Sequence, residues 1–150
     1  MPETEILICY DGSDEAGHAI EVAAALLGQR RAVVLDIAPV LTTAESLATI
    51  SSVVPGTAFE DLNTDDAVER ARAGVELAGR AGFAASARGE TAPTTWQGIV
   101  DVADEIDAAA IVIGSRGLNG VRERFEGSVS HDVAAHARRP VLIVPPPRED

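Results

Sequence analysis

Lysine is absent from this chain: all twelve of its basic residues are arginine. A Walker-type loop, which needs a lysine after its second glycine to reach the phosphates, is therefore excluded. Cys9 is the only cysteine, so no internal disulfide and no multi-cysteine metal site can form. Basic clusters are lacking too. A net charge of −12 opposes non-specific attraction to nucleic acid or an acidic membrane surface, and no local run of arginines reverses it. No apolar run approaches the ~20 residues of a membrane span. Met1-Pro2-Glu3-Thr4-Glu5 has neither the basic nor the long apolar region of a signal peptide. The expectation is a cytoplasmic protein that works on neither membrane nor nucleic acid.

What is present is an alternation of strand-like and helix-like segments in 150 residues, 46% of them hydrophobic. That length and composition suit a single domain over 1–150, able to bury about 68–70% of its unfolded surface. Ile6 to Tyr10 reads as a first strand. Ser13 then caps a helix with Asp14 and Glu15 in its first turn, Ile20, Ala23, Ala24 and Leu27 along one face, and Gly28 as its stop. Strands follow at Ala32 to Ile37, Phe83 to Arg88, Ala108 to Ile113 and Val141 to Val144. Helices are expected over Thr64 to Ala81, Thr95 to Ile106 and Ser128 to Arg138. Near-continuous apolar strands separated by helices imply an α/β fold: one open five-stranded parallel sheet, doubly wound, with helices on both faces and right-handed crossovers. Pro39 to Asn63 is long for a plain connection. Thr42-x-x-Glu45 offers a short helix start before Pro55-Gly56 breaks it, and the stretch 39–63 is read as a flexible insertion or lid. Residues 145–150 form a tail.

The segment richest in chemistry follows the apolar run Ala109 to Ile113: Gly114-Ser115-Arg116-Gly117, nine residues, then Gly127-Ser128-Val129-Ser130. A buried strand that empties into a glycine-rich loop ending on a helix start is suited to hold phosphate groups. Glycines allow the backbone to approach an anion closely, and Ser128 as N-cap leaves the first-turn amides directed at the loop. The bland alternative is a surface loop in which glycines serve only flexibility. A dinucleotide fingerprint does not fit, because it belongs after the first strand and needs more closely spaced glycines.

The pattern Gly114-x2-Gly117-x9-Gly127-Ser128 resembles the ATP-binding pattern of the universal stress protein family, whose small α/β domains commonly dimerise. Ile6-Leu7-Ile8-Cys9-Tyr10-Asp11-Gly12-Ser13 is similar to that family's first strand and acidic turn, and Pro140-Val141-Leu142-Ile143-Val144-Pro145 to its last strand. The resemblance spans essentially the whole chain. It implies an adenine nucleotide alpha hydrolase-like sheet of strand order 3-2-1-4-5, with ATP, ADP or AMP as ligand and Mg2+ as companion ion. It further implies that Asp11 lies near the ribose and phosphates, through a nucleotide-bound divalent ion, and that main-chain groups near Ile37 meet the adenine. Ile113, Gly114, Arg116, Gly117, Gly127, Ser128, Val129 and Ser130 would surround the phosphates and ribose. A homodimer through the edge strand Val141 to Val144 is implied as well. Cys9 stands where ATP-binding members often carry proline, a departure on the adenine side.

Catalytic groups are harder to find. His18, His131 and His136 fall on expected helices without a partner arrangement that spacing reveals. Cys9 inside an apolar strand reads as a buried, inert thiol, Trp96 as a packing residue, and Asp11 as equally suited to a turn. Arg122 and Arg124 can balance Glu123 and Glu126. A nucleotide-binding stress or signalling module without rapid turnover is the expectation; a slow ATP-hydrolysing or nucleotide-transferring enzyme and a non-binding dimeric scaffold are the alternatives.

Overall fold

The structure, a computed structural model, describes residues 4–39, 56–115 and 128–148. The elements run β1 (Ile6–Cys9), α1 (Asp14–Leu27), β2 (Arg31–Pro39), α2 (Gly56–Ala81), β3 (Ala84–Ala92), α3 (Thr95–Glu105), β4 (Ile111–Gly114), α4 (Ser128–His136) and β5 (Val141–Val144). The strands form one parallel sheet of order β3-β2-β1-β4-β5. This is the doubly wound topology expected from the sequence.

Alternation along each strand divides the core into two layers. Ile6, Ile8, Tyr10, Val34 and Val112 point to one face, where Ala16, Ala19, Ile20 and Ala23 of α1 and Ala71 and Ala78 of α2 cover them. Leu7, Cys9, Leu35, Ile37, Ile111 and Ile113 point to the other, against Ile99, Val102 and Ala103 of α3 and Val133 of α4. Both faces are dry, which is why the strand sequences are nearly all apolar. Each such Leu, Ile or Val contributes about 1.5–3 kcal/mol by leaving water.

Local signals fix the helix ends. The Ser13 hydroxyl accepts the Ala16 N–H at 3.1 Å, and Asp14 and Glu15 sit in the first turn, where the helix dipole favours negative charge. The Gly28 N–H closes the other end on the Ala24 carbonyl. Thr94 caps α3 in the same way through the Gln97 N–H.

Some boundaries differ from expectation. α2 begins at Gly56 rather than Thr64, so residues 56–63 of the stretch read as a cover belong to a helix. Gly56 is tolerated there because a poor helix former does little harm at the first position, where its N–H needs no helical partner. The rest of that stretch, 40–55, and its Thr42-x-x-Glu45 signal lie outside the described residues. β3 runs on past Arg88 to Ala92, since β2 offers nine residues to pair with, Arg31↔Ala84 through Pro39↔Ala92. α4 ends at His136 because Arg138 takes a left-handed φ of 55°. β4 starts at Ile111, after a turn in which Asp107 has φ 51° and the Ala108 N–H bonds the Ala103 carbonyl. Among the described residues no helix is long and apolar enough to cross a membrane.

Candidate functional site

In an open α/β sheet the ligand crevice lies beyond the carboxyl ends of the strands, where strand order reverses. Here that point is β1, which carries β2 on one side and β4 on the other. The registers pair Cys9 with Leu35 and Ile8 with Val112. Carried two and three residues onward, they set Asp11 level with Ile37 on one flank and with Ser115 on the other. Pairing persists close to this rim: the Tyr10 N–H donates to the Leu35 carbonyl and the Ser115 N–H to the Val144 carbonyl, each at 2.9 Å.

Asp11 occupies the turn that leads from β1 into α1. Its Oδ1 accepts the Ser13 N–H at 2.9 Å, so the turn role is real and uses one carboxylate oxygen. Gly12 between them has φ 88°, a conformation that strains any side chain, although a Cβ there would meet nothing within 4 Å. The requirement at Gly12 is therefore conformational and not steric.

The remaining expected residues sort by what they can offer. Ile113 is fully buried, so only its main chain is available at the rim. Ile37 is 6% exposed and packs into the space left by Gly98 on α3, where a Cβ would stand 2.8 Å from Ile37 Cδ1; its side chain too is committed to the core. Gly114 ends β4, and Ser128 opens α4. Val129 packs against the core layer between the sheet and α3, and Ser130 is 4% exposed. β4 and β5 run parallel with α4 between them, so a crossover of the usual kind starts α4 on the carboxyl edge of the sheet. Arg116, Gly117 and Gly127 lie outside the described residues, as do Arg122 and Arg124. The structure thus brings Asp11, Ile37, Ile113 and Gly114 to one rim.

One pair at this rim went unread in the sequence. Asp36, next to Ile37, is 6% exposed and accepts a hydrogen bond from Arg70 Nε of α2 at 2.6 Å. Burial pushes the Asp36 carboxyl above its ordinary value; the Arg70 guanidinium and the Ile37 N–H pull it back, while the charge of Asp11 adds to the rise. The available signal was an acid in an otherwise apolar strand, Ala32-Val33-Val34-Leu35-Asp36-Ile37, which demands a partner.

Cys9 is 2% exposed, and its thiol is pushed far above the ordinary range by burial first and by Asp11 and Asp36 second. It is not a thiolate at neutral pH, as expected of an inert core cysteine. His136 stacks on Trp96 with ring centroids 4.3 Å apart, and its Nδ1 lies 2.8 Å from the Asp132 carbonyl. His18 lies on α1 and His131 is exposed on α4. Among the described residues no group of three or more His, Cys, Asp or Glu is arranged to hold a metal ion. An open groove of about 820 Å3 runs between α1 and α2, lined by His18, Glu21 and Arg80 and bordered by Tyr10, Gly12 and Ser13 of the turn after β1.

Comparison with known proteins gives a consistent result. The model of the universal stress protein family matches residues 4–145. Universal stress protein YxiE of Bacillus subtilis is 30% identical over 151 aligned positions, covering 93% of this chain and 97% of that protein. A solved universal stress protein in complex with cAMP superposes with a TM-score of 0.64 at 22% identity, covering 96% of this chain and 98% of that one. The universal stress protein of Archaeoglobus fulgidus in complex with dAMP superposes with a TM-score of 0.59 at 23% identity, over 96% and 99%.

Proposed function

This chain belongs to the universal stress protein family, and from that premise we propose that it binds an adenine nucleotide at the β1–β4 crevice and acts as a dimeric stress-response or signalling module without rapid turnover. The observation that carries this reading is the row Ile37, Asp11, Ser115 across three adjacent strand ends, with α4 opening at Ser128 on the same edge. Such a row offers main-chain groups for a base, a carboxylate for a ribose or a bound Mg2+, and a helix N-terminus for phosphate. Two structural neighbours, the complexes with cAMP and with dAMP, hold ligands that share an adenine and a phosphate, which favours the same class here.

In this reading the Ile37 main chain meets the adenine. Asp11 keeps its turn bond and turns its other oxygen to the ribose or the ion, while Ile113, Gly114, Arg116, Gly117, Gly127, Ser128, Val129 and Ser130 enclose the sugar and phosphates. ATP is the favoured ligand, and occupancy changes what the dimer surface presents. β5 supplies the interface: among the described residues it pairs with β4 alone, and it leaves Ile143 39% exposed.

The test is calorimetric titration of purified protein with ATP, ADP and AMP, with and without Mg2+, beside identification of any nucleotide released on denaturation. Replacing Gly117 and Gly127 by valine is expected to abolish binding while leaving the fold intact. Unchanged affinity in the folded double variant would take the loop out of the site. Steady turnover of several per second would replace the switch by an enzyme.

A further inference from the structure

The ladder between β1 and β2 ends at Cys9↔Leu35, with one more bond from the Tyr10 N–H to the Leu35 carbonyl. β2 nevertheless continues for four residues, Asp36 to Pro39, held on its other edge by β3 through Asp36↔Gly89 to Pro39↔Ala92. This overhang borders the crevice and carries Ile37. Pairing on one side fixes its register but not its height above the helices, which must come from side chains.

On the α3 side Ile37 fills the space over Gly98. On the α2 side the neighbouring residue is charged. Asp36 reaches down to Arg70, 34 positions away, at 2.6 Å, and the carboxylate is buried while the guanidinium is 43% exposed on its solvent side. Opposite Asp36 stands Gly89, whose missing Cβ lets the backbone of α2 at Thr64 and Val68 lie directly on the strand. The ion pair is thus buried at one end, directional, and placed one residue from the main chain that borders the crevice.

We propose that the Asp36–Arg70 pair is a positioning device for the base end of the site, setting the height of the β2 overhang so that the Ile37 main chain can meet an adenine. This rests on the nucleotide reading above and deepens it: Asp36 and Arg70 touch no ligand and act through Ile37. A pair with this role is needed for the base and irrelevant to the phosphates, which are expected at the far flank of β1.

The experiment exploits that division. Wild type, Asp36→Ala, Asp36→Asn and Arg70→Met are titrated calorimetrically with AMP and, separately, with inorganic tripolyphosphate. Asp36→Ala and Arg70→Met are expected to weaken AMP at least tenfold while changing tripolyphosphate less than twofold. Asp36→Asn keeps an acceptor for Arg70 Nε and should recover most of the AMP affinity. Circular dichroism identifies a variant that does not fold; if Asp36→Ala is one, Arg70→Met, which leaves the strand itself unaltered and changes a side chain 43% exposed, carries the comparison through its AMP-to-tripolyphosphate ratio. A parallel loss of both probes makes the pair merely structural and overturns the proposal. So does unchanged AMP affinity in folded Asp36→Ala beside a wild type that binds AMP. A wild type that binds neither probe overturns the nucleotide reading itself, and this inference with it.

Discussion

Gly89→Ala tests how closely α2 rests on the sheet. A Cβ built at Gly89 would lie 2.6 Å from the Val68 backbone nitrogen, 2.8 Å from Val68 Cγ2 and 2.9 Å from the Thr64 carbonyl oxygen. Two of those three atoms are helix backbone, which no rotamer change can move, so α2 must lift or β3 must bend. Overpacking of this kind costs typically 1–3 kcal/mol, and contact with backbone puts it at the upper end. Against that, alanine in a strand gains about 0.5–1 kcal/mol over glycine. A net loss of about 1–2 kcal/mol follows, or roughly 2–8 °C in Tm for a chain of this size. Gly79→Ala is the control on the same helix. A Cβ there meets nothing within 4 Å, so the propensity gain of about 0.8–1 kcal/mol should appear unopposed and the variant should be more stable. Urea titrations read by circular dichroism give both midpoints, with an unchanged slope confirming that only stability moved. Equal or greater stability of Gly89→Ala would refute the close approach of α2 to β3.

Arg70→Met removes the partner that holds the buried Asp36 carboxyl down, so its folded-state pKa, already raised, moves higher. A raised carboxyl destabilises the fold progressively as pH climbs above ~4, the unfolded value. The variant should therefore lose about 1–3 kcal/mol at pH 7, less than a fully buried pair because Arg70 is nearly half exposed, and much less at pH 4. Paired urea midpoints at the two pH values check the sign. Cys9 should resist a thiol reagent in the folded protein at pH 8 and react at once in urea; rapid labelling of folded protein would contradict its burial. Ile143→Glu is expected to shift the protein toward monomer in analytical ultracentrifugation without unfolding it, whereas Val144, 3% exposed, belongs to the core and a charge there would test folding and not assembly.

The sheet was legible because a parallel strand covered on both faces has to be apolar throughout, and Ile6 to Cys9 and Ala109 to Ile113 are; Val141 to Val144 is as apolar although it is a partly exposed edge strand. β3 was legible only in part. It is an edge strand with polar residues on its outer positions, and its Arg88-Gly89-Glu90-Thr91 stretch carries no apolar signal. The start of α2 was missed because Pro and Gly punctuate the beginning of a helix as well as its end. Asp11 showed its turn chemistry in sequence, since Asp-Gly-Ser names the residues an Asx turn and N-cap require. Arg70 did not. Nothing local marks it among the arginines of α2, and its role exists only because a crossover returns it to a strand 34 positions earlier.

Charge explains why that contact sits where it does. A chain of net charge −12 repels an anionic ligand at range, but at physiological ionic strength the repulsion of exposed charges is screened within about 8 Å. What matters is therefore the charge at contact distance from the crevice. Asp11 places one carboxylate there and spends one of its oxygens on the Ser13 N–H. Asp36 places a second close by, near enough to raise the proton affinity of the Cys9 thiol. Left unpaired, it would be an uncompensated buried charge under the base end of the proposed site. Arg70 neutralises it at 2.6 Å and in the same contact fixes the overhang of β2. With lysine absent, arginine is also the cation suited to this place, since its guanidinium stays protonated however it is buried and its Nε meets a carboxylate oxygen in a fixed direction.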